Sequence, residues 1–158
     1  KHLKNNKKDF NLHSNNASKL RSVNGRMNNF VKKNYPQVFV DYAHTSDALK
    51  NILSVLKEVT DGRLLLVFGC GGDRDATKRI PMGVAASQAD AVIVTNDNPR
   101  SERPELIAKS AAEGALQGGA FPADAPQIGG VWTELDRAEA IRRTIESAGE
   151  GDIVLIAG

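Results

Sequence analysis

Five consecutive apolar residues, Leu64-Leu65-Leu66-Val67-Phe68, constrain this chain more than any other stretch. Successive side chains of a strand point to opposite faces, so a run with no polar position needs cover on both sides. Strands of that kind belong to parallel sheets flanked by helices. Ala91-Val92-Ile93-Val94 and Ile153-Val154-Leu155-Ile156 have the same character, and Val38-Phe39-Val40-Asp41 is a shorter run ending on an acid.

Helical patterns fill the gaps between these runs. Thr45 or Ser46 can cap a helix with Asp47 in its first turn, and Leu49, Ile52, Leu53, Leu56 and Val59 recur at helical spacing before Asp61-Gly62 ends it. Met82–Ala89 is small-residue helix that can pack closely on a sheet, with Pro81 acceptable in a first turn and Lys78-Arg79 ahead of it as a basic patch. Pro104 opens a helix carrying Leu106, Ile107, Ala111 and Ala115. Residues 118–130 read as loose, leading into a short strand at Gly130-Val131-Trp132, where Trp132 packs. Asp136 can cap a last helix with Ala138, Ile141 and Ile145 inward, broken at Gly149–Gly151. Strands alternating with helices predict an α/β fold: a Rossmann-like, doubly wound, mostly parallel sheet.

Ligands of such sheets bind beyond the carboxyl ends of the strands, which directs attention to the strand tips. One tip is Asn96-Asp97-Asn98-Pro99-Arg100, which holds a carboxylate, an amide and a guanidinium together and suits both ends of a zwitterion. The other is Gly69-Cys70-Gly71-Gly72-Asp73-Arg74, where glycines let a backbone approach a ligand and Arg74 can bind an anion, or where a tight turn leaves Arg74 in solvent. It fits neither G-x-G-x-x-G nor G-x-x-x-x-G-K-[ST], and the latter occurs nowhere in the chain. Asp41 ends a strand where a carboxylate can take a ribose diol, or is a plain acid before a helix. His44 lacks partners at metal-ligand spacing and reads as a polar tip residue beside a ligand. Cys70 has no base placed beside it and reads as a buried structural thiol.

With a single cysteine there is no internal disulfide, so the chain is expected in a reducing cytoplasm. No run approaches the ~20 apolar residues of a membrane span, and no signal-peptide segment is seen. The charge is uneven. Residues 1–37 carry nine Lys/Arg against one acid, a net +8, which against the whole-chain +2 leaves −6 for residues 38–158. This basic arm is rich in Asn and poor in aromatics, so a solvated tail is preferred over a nucleic-acid contact. The expected organisation is a poorly ordered lead-in over 1–22, a linker over 23–37 and a domain over 38–158.

Five segments in order resemble the Mur ligases. They are Val40-Asp41-Tyr42-Ala43-His44-Thr45-Ser46-Asp47-Ala48-Leu49, Phe68-Gly69-Cys70-Gly71-Gly72-Asp73-Arg74-Asp75, Asp97-Asn98-Pro99-Arg100, Asp136-Arg137-Ala138-Glu139-Ala140-Ile141 and Val154-Leu155-Ile156-Ala157-Gly158. The resemblance runs from about Leu20 to Gly158, is to the family's C-terminal domain, and is strongest to the branch adding meso-diaminopimelate to a UDP-N-acetylmuramoyl dipeptide. It implies a cytoplasmic, ATP- and Mg2+-dependent ligase of peptidoglycan synthesis acting through an acyl phosphate, with ATP and Mg2+ bound mainly by a central domain. It further implies that Arg74, Asp97, Asn98, Pro99, Arg100 and backbone at Gly158 bind meso-diaminopimelate. Arg26 and Asp41 would meet the nucleotide, and no catalytic residue or metal ligand falls in this stretch. Arg100 is the implied discriminator, its guanidinium meeting the carboxylate that lysine lacks.

Ser46 and Ile80-Pro81 depart from the family pattern, and the strand tip at Gly158 is expected to be cut short of the family's further contacts, leaving the piece inactive alone. A second reading is a non-catalytic module of this type whose basic arm recruits nucleic acid or a protein.

Overall fold

The computed structural model describes residues 27–158, and the apolar runs form the middle of one seven-stranded sheet. Its strands are β1 (Asn28–Phe30), β2 (Gln37–Asp41), β3 (Leu64–Phe68), β4 (Ala91–Val94), β5 (Phe121–Pro122), β6 (Gly130–Thr133) and β7 (Ile153–Ala157), in the order β1-β2-β7-β3-β4-β6-β5. Only β1 runs antiparallel. The last strand thus enters the centre, with Leu155 opposite Phe39 of β2 and Leu66 of β3.

Among the described residues, four α-helices cover the sheet: α1 (Ser46–Val59), α2 (Arg79–Ala86), α3 (Pro104–Gln117) and α4 (Arg137–Ser147). Crossovers β2-α1-β3, β3-α2-β4 and β4-α3-β6 all step one way along the sheet, whereas β6-α4-β7 steps back. Crossovers of one hand that step in opposite directions put their helices on opposite faces. The core divides accordingly. Leu64, Leu66, Phe68, Val92, Val94 and Leu155 meet Leu49, Leu53 and Leu56 of α1, Met82 and Ala85 of α2, and Ala108, Ala111 and Ala115 of α3. The alternate positions Leu65, Val67, Ile93, Val154 and Ile156 meet Trp132, Ala140, Ile141 and Ile145. An uninterrupted apolar run has therefore found cover on both sides, as its composition requires.

Local signals set the helix ends. The Ala48 N–H donates to Thr45 Oγ1 at 3.2 Å, so Thr45 rather than Ser46 caps α1, and the Glu139 N–H donates to Asp136 Oδ1 at 3.0 Å. Helices α2 and α3 cross at glycines. A Cβ on Gly83 would lie 2.0 Å from the Ala111 carbonyl oxygen, and one on Gly114 would lie 2.2 Å from that of Ile80.

Several expectations need correction. The stretch read as a linker contains β1, whose sequence Asn28-Asn29-Phe30 has no apolar alternation and is held by main-chain pairing to β2. The loose segment contains the two-residue β5 beside β6. Val59, Leu106 and Ala138 have helical spacing but are exposed, each in the first or last turn of its helix. On α4, Ile141 and Ile145 face inward as expected, joined by Ala140 and Thr144 rather than by Ala138. Arg79 is not a surface cation: it is buried at the start of α2. The lead-in over 1–22 lies outside the described residues. No helix among the described residues is long and apolar enough to cross a membrane.

Candidate functional site

Beyond the carboxyl ends of β2, β3, β4 and β7 lies a cleft of about 590 Å³. Tyr42 and His44 reach it from the end of β2; Gly69, Cys70, Gly71 and Arg74 from the tip after β3; Asp97, Asn98 and Arg100 from the tip after β4; and Gly158 from the end of β7. Asp75, Lys78, Arg79 and Met82, on the approach to α2 and its first turns, complete the wall.

The two central tips are bonded to each other. The Gly72 N–H donates to the Asn98 carbonyl at 2.8 Å, and the Arg100 guanidinium donates from Nη1 back to the Gly72 carbonyl. A Cβ on Gly72 would fall 1.9 Å from the Pro99 carbonyl oxygen, so this close approach demands glycine. The Asp73 carboxylate accepts from the Ser101 N–H at 3.0 Å and the Ser101 hydroxyl at 2.7 Å. Glu102 Oε1 accepts from the Asp73 N–H at 2.6 Å and from Arg79 Nη2 at 2.7 Å. Those Ser101 bonds hold the Asp73 carboxyl below the usual carboxylate range. Arg79, followed by the Asp73 N–H, does the same for Glu102.

Of the residues expected at a ligand site, Arg74, Asp97, Asn98, Arg100 and Gly158 line this one cleft, together with His44. Pro99 does not; its carbonyl packs on Gly72 and accepts from the Glu102 N–H at 3.0 Å, a supporting place in the turn. Asp41 also stands apart from the lining, its Oδ2 accepting from the Met27 N–H at 3.0 Å. Arg26 lies outside the described residues. Sequence reasoning missed Tyr42, Lys78 and Met82 as lining residues and misjudged Arg79. The signal for Arg79 was present: 79, 82, 83 and 86 share one helix face, and the other three are small or apolar.

Cys70 is half-buried in the cleft wall and packs against the core edge, so it is less enclosed than expected. Burial pushes its thiol up to about 11, with Arg79 opposing and Asp97 adding to the shift. At neutral pH it is a protonated wall group and no nucleophile. His44 Nδ1 lies 3.0 Å from the Tyr42 carbonyl, and both residues line the cleft. Among the described residues no three His, Cys, Asp or Glu side chains gather as a metal site.

Chemically, the cleft offers guanidinium groups from Arg74 and Arg100, an ammonium from Lys78, and the Asp97 carboxylate beside the Asn98 amide. An amino group suits Asp97, and carboxylates suit the guanidiniums, which form two parallel N–H bonds with such a group. These groups suit a small zwitterionic ligand that carries both amino and carboxylate groups.

A family profile described as Mur ligase, glutamate ligase domain, matches residues 25–158. The UDP-N-acetylmuramoyl-L-alanyl-D-glutamate--2,6-diaminopimelate ligase of Coxiella burnetii is 49% identical over 142 residues, covering 89% of this chain and 27% of that protein. The Acidovorax protein of the same name is 48% identical over 146 residues, covering 90% of this chain and 27% of that protein. A solved structure of a UDP-N-acetylmuramoyl-L-alanyl-D-glutamate--2,6-diaminopimelate ligase superposes with a TM-score of 0.72 at 42% identity, covering 89% of this chain and 27% of that one. This chain therefore spans about a quarter of the length of the relatives it matches.

Proposed function

Because the chain belongs to the Mur ligase family, matching its glutamate ligase domain, we propose that it is the amino-acid-presenting domain of a ligase that adds meso-diaminopimelate to UDP-N-acetylmuramoyl-L-alanyl-D-glutamate in the cytoplasm. The domain in this reading comprises 38–158 together with β1. The observation that carries it is the meeting of Arg74 and Arg100, from two separate tips, in one cleft with Asp97 and Asn98. Asp97 would take an amino group, while Arg74 and Arg100 would take carboxylates. Arg100 would then distinguish diaminopimelate from lysine, which lacks the second carboxylate. Gly158 would add main-chain contact, and Pro99 would act by supporting its tip.

For an amine to attack an activated carboxyl, its position and angle matter most, and holding the amino acid still is this domain's share of the work. The chain has no G-x-x-x-x-G-K-[ST] stretch and no gathered metal ligands among the described residues, so these residues do not by themselves fit ATP or Mg2+. Both belong, in this reading, to portions that the relatives have beyond this chain, as does formation of the acyl phosphate. Asp41, engaged with Met27, is better read as fastening Met27, just ahead of β1, to the end of β2 than as a ribose contact.

The test is calorimetric titration of the full-length protein carrying this chain with meso-diaminopimelate and with L-lysine. Diaminopimelate is expected to bind at least tenfold more tightly, and Arg100→Ala to remove that preference, as loss of a two-bond charged contact would. A preference that survives Arg100→Ala sinks the reading.

A further inference from the structure

The cationic wall of the cleft is held by Asp73, Ser101 and Glu102, which do not line it, together with Arg79, which does. Arg100 has φ +51° and Asp73 has φ +49°, left-handed conformations that residues with a Cβ seldom adopt and that persist only where the surroundings impose them. What imposes them is a bonded strut across the base of the two tips. Glu102 Oε1 accepts from the Asp73 N–H (2.6 Å) and from Arg79 Nη2 (2.7 Å), and the Asp73 carboxylate accepts from Ser101 (3.0 Å to N, 2.7 Å to Oγ). The strut therefore grips the chain immediately after Arg100 and immediately before Arg74. Its counter-charge is secured from below, since Arg79 is only 6% exposed and cannot swing away.

A guanidinium forms two parallel bonds with a carboxylate only when its plane is aligned, so selectivity depends on what fixes its backbone as well as on its charge. We propose that Glu102, braced by Arg79 and Asp73, is a positioning residue that orients Arg100, so that the cleft prefers an amino acid with a side-chain carboxylate over one ending in a bare amine. This rests on the reading of the cleft as a diaminopimelate site.

Steady-state kinetics of the full-length protein carrying this chain, with meso-diaminopimelate and L-lysine as competing amines, test it. Glu102→Ala is expected to raise KM for diaminopimelate about tenfold with kcat within about twofold, leaving KM for lysine unchanged. Glu102→Gln keeps an oxygen for the Asp73 N–H and should restore most of the preference. Ser101→Ala, which removes the hydroxyl's contacts with both Asp73 carboxylate oxygens and serves if Glu102→Ala does not fold, should shift the ratio the same way by about threefold. Parallel rises for both amines, or an unchanged ratio, would overturn the positioning role. A wild-type protein with no preference for diaminopimelate would instead overturn the functional reading itself, and the proposal with it.

Discussion

Cys70 shows how a tip residue can be exposed enough to line a cleft and yet chemically quiet. It follows Gly69 directly beyond β3, with the core edge on one side and Asp97 across the tip. Burial and the nearby carboxylate favour the neutral thiol over the thiolate, and Arg79 only partly offsets them. With its thiol pushed up to about 11, roughly one molecule in ten thousand is thiolate at pH 7. As Cys70 is the only cysteine of the chain, its reaction can be followed without interference. Its rate with an aromatic disulfide reagent should climb about tenfold per pH unit from pH 8 to pH 10, with no plateau below pH 10. A plateau near pH 8 would mean that the thiol is not held by the cleft wall. If the cleft holds diaminopimelate as proposed, saturation with it should slow the same reaction, since Arg74, Asp97 and Arg100 line the same cleft.

At the scale of elements, the crossing of α2 on α3 decides whether the first tip reaches the second, because α2 carries Arg79 and α3 follows Arg100. The two backbones approach so closely that Gly83 has the Ala111 carbonyl where a Cβ would stand. Gly83→Ala should cost about 1–3 kcal/mol, the range of an overpacked core, and lower Tm by several degrees in a thermal melt. Gly149→Ala, whose Cβ would meet nothing within 4 Å, should move it far less. The helices and buried strands were legible because each announces itself locally, by a run of apolar residues, a cap at Thr45 or Asp136, or Pro104 in a first turn. Asn28–Phe30 was not, because its strand character comes entirely from β2, whose residues lie about ten positions on. The tips could be placed for the same local reason, and Arg74, Asp97, Asn98 and Arg100 with them. The strut between them could not, since Asp73 and Ser101 are 28 residues apart and Arg79 and Glu102 are 23. Nothing local to Asp73, Arg79, Ser101 or Glu102 says that they meet.

For the molecule as a whole, the decisive event is the insertion of β7 between β2 and β3. Neither of those strands pairs with the other, so the sheet is joined only through the final residues of the chain. Asp152 secures that junction at its start. Its carboxylate accepts from the Arg63 N–H at 2.7 Å, from Arg63 Nη2 at 2.5 Å and from the Gly149 N–H at 2.9 Å, while its carbonyl accepts from the Gln37 N–H at 3.0 Å. Asp152, just ahead of β7, thus ties the start of β2 to the residue leading into β3. Burial resists ionisation of this carboxyl, yet the bonds from Arg63 and Gly149 outweigh it and hold the group below the usual carboxylate range. A carboxyl depressed in the folded state binds its proton more readily when the chain is unfolded. Its contribution is therefore complete above the unfolded value, near pH 4, and is lost as pH falls through the folded value. Asp152→Asn removes the charge but keeps the shape. It should cost about 1–3 kcal/mol at pH 7, an amount held down by the partial exposure of Arg63. Urea unfolding of both proteins from pH 7 to pH 2 should show the gap closing only below pH 4, as protonation deprives the native chain of the same charge. A gap independent of pH would assign the loss to packing, and no gap at pH 7 would remove Asp152 as the fastening of the central strand.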